Sequence, residues 1–168
     1  MHSNQFILEQ LNKMSQVEFT KALGEIWEQT PEIAEKAWQS KPFEDLDFLY
    51  RAMVAVIDRM SESEQMALIK AHPDLGSKAK MADASVQEQA GAGLDRLSKF
   101  EYQRFQSLNQ AYKDKFDFPF IIAVKNHTLE SILEAFSNRL ENDRTTEKQQ
   151  ALTEIKKIAR LRLESLIN

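Results

Sequence analysis

The stretch "LDFLYRAMVAVIDRM", residues 46–60, decides how this chain is read. Leu46, Leu49, Tyr50, Met53, Val54, Ile57 and Met60 recur every three or four positions, which places them on one face of an α-helix. A stripe of that kind is what a helix turns toward a core. The remainder of the chain has the same character. Glycine occurs only at 24, 76, 91 and 93 and proline only at 31, 42, 73 and 119, leaving long uninterrupted segments of helix-forming composition. Phe100, Phe105, Leu108 and Tyr112 repeat the pattern less completely and are expected in the core as well. Helix starts are frequent: Ser15 with Glu18, Ser61 with Glu64, Ser85 with Glu88 and Ser98 with Glu101 all have the capping-box spacing. Thr30-Pro31 reads as a cap followed by proline at the first helical position. Thr128 opens a helix to about Leu140 that carries Ile132, Leu133 and Phe136 inward, and "ENDRTT", residues 141–146, is a polar turn into a long terminal helix. The exception is "FDFPFIIAV", residues 116–124, a strand-like run broken by Pro119. A lone strand has nothing to pair with, so this run is expected to be a buried connector between helices. The expected fold is all-α, a single-domain compact bundle of about eight helices over residues 1–168.

Bulk properties narrow the function. A chain of 168 residues, 42% of them hydrophobic, can bury a sizeable core of its own. A formal charge of -4, with acid and base interspersed, argues against a nucleic-acid partner, because phosphate binding needs a basic face. The longest apolar run, "FPFIIAV", is far too short to span a bilayer, and "MHSNQF" lacks the pattern of a signal peptide, so no membrane role is expected. Cysteine is absent, and only His2, His72 and His127 offer imidazole, so metal chemistry is not expected. The ending "SLIN" is not the Ser-Lys-Leu address of peroxisomes, which favours a cytoplasmic setting.

Three places could carry chemistry. In "IKAHPDLGSKAK", residues 69–80, His72 precedes a proline, which disfavours the α region and ends a helix close to it. A histidine there either caps the last carbonyls or, helped by the helix dipole, serves as a proton donor near neutral pH. In "ASVQEQAGAGL", residues 84–94, Ser85 and Glu88 have capping spacing, yet the same helix start offers N–H groups to an anion and Gln89 offers an amide. The "GAG" that follows lets the backbone turn sharply but lacks the rest of any phosphate-loop pattern. In the terminal helix, Leu152, Ile155, Ala159, Leu163 and Leu166 share one face; Arg162 falls within it and Arg160 points away. An inward arginine requires a carboxylate partner, internal or from a ligand, unless its head reaches solvent.

These residues also carry a resemblance. "AHPDLGSKAKMADASVQEQAGAGLDRL", then "FQSLNQAYKDKFDFPFIIAVK", then "EIKKIARLRLESLI" closely resemble the 2-oxo-4-hydroxy-4-carboxy-5-ureidoimidazoline (OHCU) decarboxylase family of urate breakdown. "LNKMSQVEFTKALGEIWEQTPEIAEKAWQSKPF" is similar to that family's opening. The resemblance implies an all-α enzyme, often a homodimer, that needs no metal or organic cofactor and converts a small unstable substrate to (S)-allantoin and carbon dioxide. By motif, His72 matches the catalytic histidine and Glu88 the glutamate beside it. Pro73, Ser85 and Gln89 match substrate contacts, Phe120, Ile121, Ile122, Ala123 and Val124 a backbone wall of the pocket, and Arg162 an anchoring arginine. Three positions depart from the pattern. Glu32 follows Pro31 where the family often has tryptophan, Asp117 stands where Lys-Phe-Gly-Phe-Pro has glycine, and Lys41 stands where arginine is common. Two rival classes remain on residues alone: a histidine phosphotransfer module, which needs its histidine exposed on a helix face, and a helical adaptor that only binds a partner.

Overall fold

Local side-chain chemistry sets most of the helix boundaries. In the computed structural model, which describes residues 6–76 and 83–167, the helices are α1 (Leu8–Lys13), α2 (Gln16–Leu23), α3 (Glu32–Ala37), α4 (Leu46–Asp58), α5 (Glu62–Lys70), α6 (Asp83–Gly91), α7 (Lys99–Phe116), α8 (Leu129–Arg139) and α9 (Arg144–Leu166). Ser15, Ser61 and Ser98 each accept the N–H three residues on through the hydroxyl, while Glu18, Glu64 and Glu101 accept the serine's own N–H in return. The hydroxyl of Thr128 caps α8 through the Ser131 N–H. Among the described residues the protein is all-α: the one extended pairing is a bridge between Phe6 and Ile167. No helix there is long and apolar enough to cross a membrane.

Three expectations need correction. Thr30 does not cap α3; its hydroxyl donates to the Glu28 carbonyl, and the helix begins one residue later, behind Pro31. Ser85 is not a helix cap either, because α6 already starts at Asp83 and Ser85 lies in its first turn. Phe100 is 73% exposed. It stands five residues before Phe105, roughly 140° around the helix, so it faces away from the core that Phe105 and Tyr112 enter. Residues 1–5, 77–82 and 168, which include His2 and parts of the motifs quoted above, lie outside the described residues.

The chain forms two compact units, Met1–Leu68 with Lys156–Asn168, and Ile69–Ile155. In the first, α3 packs on α2 and α4, and the expected stripe of α4 supplies buried Leu49, Met53 and Ile57. Phe19 and Phe43 stack with ring centroids 5.6 Å apart. Asn12 satisfies both backbone groups of Phe43, donating to its carbonyl and accepting from its N–H, which ties down the non-helical stretch before α4.

The second unit is built on aromatic rings. Tyr112 and Phe116 of α7, Phe136 of α8 and Phe118 and Phe120 of the connector are all buried, and Phe120 stacks on Phe136 with centroids 3.8 Å apart. Residues 118–123 form neither helix nor strand and are buried throughout, as expected for a connector. At its start Asp117 closes α7 in the left-handed conformation, φ 65°, with its N–H donating to the Lys113 carbonyl.

That conformation explains why a glycine suits this position: a Cβ there costs energy that glycine avoids. Asp117→Gly is expected to stabilise the protein by about 1 kcal/mol, a rise of roughly 2–4 °C in Tm for a chain of this size. Thermal unfolding followed by circular dichroism measures it. An unchanged or lower Tm would show that the exposed Lys70–Asp117 pair, 3.8 Å apart, outweighs the backbone strain.

Candidate active site

The α5 helix ends at Lys70, and Ala71 and His72 form the turn that follows it. Pro73 disfavours the α region for His72, so the histidine stands past the end of α5 and not on one of its faces. His72 is only 9% exposed and donates its backbone N–H to the Ile69 carbonyl. This placement contradicts the requirement of a phosphotransfer histidine, which must stand exposed on a helix face.

Three side chains fix the loop that carries it. Lys113 of α7 pairs with Asp74 at 2.7 Å, with both partly buried. One turn earlier on α7, buried Asn109 donates to the Leu75 carbonyl at 2.9 Å. Gln89 of α6 accepts the Gly76 N–H through Oε1 at 3.0 Å. Each bond satisfies a polar group that the irregular backbone would otherwise leave unpaired. Together they bind residues 74–76 to two helices. A cleft of about 160 Å³ lies along this loop and α7, lined among others by Asp74, Gly76, Tyr102 and Lys113; neither the catalytic candidates His72 and Glu88 nor the anchoring candidate Arg162 lines it.

The α6 helix brings the second group of candidates to the same loop. Ser85 and Gln89 are buried and Glu88 is partly exposed. Gln89 therefore acts as a clamp on the histidine loop, a role that its amide chemistry allowed and its sequence position did not reveal. The "GAG" turn ends the helix: Gly93 takes φ +86°, and the Leu94 N–H donates to the Gln89 carbonyl at 2.8 Å. Beside α6 packs the 3-10 turn Val124–Asn126, which continues the Phe120–Val124 run. His72, Pro73, Ser85, Glu88, Gln89 and the five residues of that run thus belong to one compact unit.

Arg162 belongs to the other unit. It is 8% exposed, as its place on the inward face of α9 requires, and has an internal partner. Its Nη2 donates to Glu28 Oε1 at 3.2 Å, and its Nη1 donates to the carbonyls of Glu25 and Ile26. Glu28 is fully buried. The guanidinium is thus neutralised and aimed by the protein itself, while Arg160 lies on the outside with Asp47 and Glu164.

Sequence reasoning missed a set of buried polar residues in the second unit: Asn109, Arg139, Glu147 and Glu154. Periodicity could have found them. Asn109 lies four residues beyond Phe105, Arg139 three beyond Phe136, and Glu147 and Glu154 flank Ala151 on one face of α9. Glu147 accepts the Tyr112 hydroxyl at 2.5 Å, Arg139 Nε at 2.8 Å and Asn142 at 2.8 Å. Burial, together with the hydrogen bond to Glu147, drives the Tyr112 phenol far above its ordinary pKa.

Comparison with known proteins places the chain beside enzymes of one kind. A family model described as OHCU decarboxylase matches residues 12–164. A 2-oxo-4-hydroxy-4-carboxy-5-ureidoimidazoline decarboxylase of Halalkalicoccus jeotgali is 43% identical over 159 residues, covering 95% of this chain and 90% of that protein. A crystal structure of (S)-allantoin synthase is similar with a TM-score of 0.78 and 31% identity, over 96% of this chain and 54% of that one. A crystal structure of OHCU decarboxylase in the presence of (S)-allantoin has a TM-score of 0.70 and 25% identity, over 91% of this chain and 98% of that one.

Gly76 is the weak point of the histidine loop. It takes φ +71°, and an added Cβ would come 2.9 Å from Leu97 Cδ1. Gly76→Ala is expected to destabilise the protein by about 1–3 kcal/mol, read as a lower urea midpoint. An unchanged midpoint would mean that the loop accepts another backbone conformation.

Proposed function

The chain belongs to the OHCU decarboxylase family, and we propose that it converts 2-oxo-4-hydroxy-4-carboxy-5-ureidoimidazoline to (S)-allantoin and carbon dioxide in urate breakdown, with His72 and Glu88 as its catalytic residues. The observation that carries the assignment of roles is the tethered loop. A histidine that leaves a helix end, held by α7 and α6, is positioned to move a proton while its backbone stays still.

The reaction asks little else of the protein. The bond between the carboxylate carbon and the ring carbon breaks, carbon dioxide leaves, and the electron pair passes into the neighbouring imidazoline system. As its hydroxyl proton leaves, the carbon that lost the carboxylate becomes a carbonyl, and the adjacent ureido-bearing carbon must receive one proton from one face to set the S centre. His72 delivers it, and Glu88 holds or deprotonates the substrate hydroxyl. Pro73, Ser85 and Gln89 contact the substrate, and Phe120 to Val124 form a wall of the pocket. Arg162 anchors an anionic or carbonyl group; with Glu28 already balancing its charge, it acts through directed N–H groups more than through net charge. The reading includes a homodimer, carried by the family resemblance, and a cytoplasmic setting.

The test generates the unstable substrate in place from urate with urate oxidase and the hydrolase that follows it, and monitors circular dichroism where allantoin absorbs. The wild type is expected to give an optically active product well above the uncatalysed background. His72→Ala should keep its far-UV spectrum and lose a factor of about 10²–10⁴ in kcat. Glu88→Gln should also be strongly impaired. A folded wild type no faster than background would overturn the decarboxylase reading, and near-normal turnover by either variant would remove that residue from the mechanism.

A further inference from the structure

We infer that Glu154, supported by Arg139, is a positioning residue that sets the binding geometry of the Phe120–Val124 wall, an inference that rests on the decarboxylase reading above. Residues 120–123 of the wall are buried but neither helix nor strand, so no ladder or helical bond fixes where their peptide groups point. Two charged side chains supply that constraint. Arg139 Nη1 donates to the Ile121 carbonyl at 2.6 Å, and Glu154 Oε1 accepts the Ala123 N–H at 3.0 Å. A carbonyl and an N–H two residues apart are thereby bound by α8 and α9, and holding both ends restricts the rotation of the intervening Ile122 peptide groups.

Both side chains are themselves held. The Arg139 guanidinium lies 4.3 Å from the centre of the Phe120 ring, and its Nε is bound to Glu147. The second oxygen of Glu154 accepts from Gln150 at 2.9 Å. The chemistry suits a ligand rich in N–H and C=O groups, such as a ureide: a peptide edge recognises it only when the edge is aimed correctly. A carboxylate that touches no substrate would then govern how well substrate binds.

The experiment compares wild type, Glu154→Leu and Glu154→Gln in the coupled assay over a range of substrate concentrations. The leucine variant removes the acceptor, whereas the glutamine variant keeps an oxygen for the Ala123 N–H. Glu154→Leu is expected to raise KM by about tenfold, the worth of a few misaligned hydrogen bonds, with kcat within about threefold of wild type. Glu154→Gln is expected to restore KM. A merely structural role behaves otherwise, because unfolding part of the protein lowers apparent kcat and leaves KM alone. Should Glu154→Leu fail to fold, Arg139→Lys provides the second reading, with raised KM again expected from the altered Ile121 contact. Unchanged KM in folded Glu154→Leu, or in folded Arg139→Lys, with wild-type turnover intact, would overturn this inference alone. An inactive wild type would overturn the decarboxylase reading and this inference with it.

Discussion

A buried ion pair is the constraint on which the second unit depends. Arg139 and Glu147 have side chains 10% and 0% exposed and meet at 2.8 Å. Two charges in an apolar surrounding are costly unless each is paired and hydrogen-bonded, and breaking such a pair by removing one partner typically costs about 3–5 kcal/mol. Here the pair is nearly complete: Glu147 also receives Tyr112 and Asn142, and Arg139 also serves the Ile121 carbonyl and lies over Phe120. One cluster therefore links α7, α8 and α9 to the connector. The aromatic rings around it cannot rearrange without exposing or unpairing a charge, which gives a largely apolar core one preferred arrangement.

The same solution recurs in the first unit with other residues. Arg162 of α9 joins Glu28 and at once binds the carbonyls of Glu25 and Ile26, in the non-helical stretch between α2 and α3. In both units an arginine on a helix reaches a buried glutamate and also closes the backbone of a segment that has no helix of its own. A nearly all-helical chain satisfies its backbone internally everywhere except in such segments, so its buried charges concentrate there. Arg139 and Arg162 are thus structural analogues. What separates them is the proposed function, which assigns Arg162 and not Arg139 to the substrate.

Much of this was legible because it is local. Three of the four serine-glutamate spacings are capping boxes, and the stripes of α4 and α9 point inward, since caps and periodicity depend on residues within a turn of each other. The fourth spacing misled for the same reason. Serine and glutamate three apart also occur inside a helix, and only the start of α6 at Asp83 separates the cases. Phe100 misled because its type suggested core while its angle from Phe105 did not. The inward direction of Arg162 could be read from the helical period, but Glu28, 134 positions away, could not. Likewise nothing local announces that Gln89 clamps Gly76 or that Asn109 supports Leu75. Those contacts join elements distant in sequence, and in the sequence only the motifs suggested that His72 and Glu88 share a site.

The distribution of rigidity fits the chemistry proposed. A substrate that stabilises its own carbanion does not need a strong electrophile from the protein; it needs a proton from one side and a fixed orientation. Orientation is lost through freedom of the parts that hold the substrate, and the two parts least restrained by secondary structure are the His72 loop and the 120–124 wall. Both are restrained instead by side chains from neighbouring helices: Lys113, Asn109 and Gln89 on the loop, Arg139 and Glu154 on the wall. These bonds exist in the folded protein before any ligand arrives, so the entropy of ordering both segments is met in folding and is not subtracted from substrate binding. An enzyme that must protonate one face of a short-lived intermediate gains most from that arrangement, because a loop that closed only after binding would give the other face time to react.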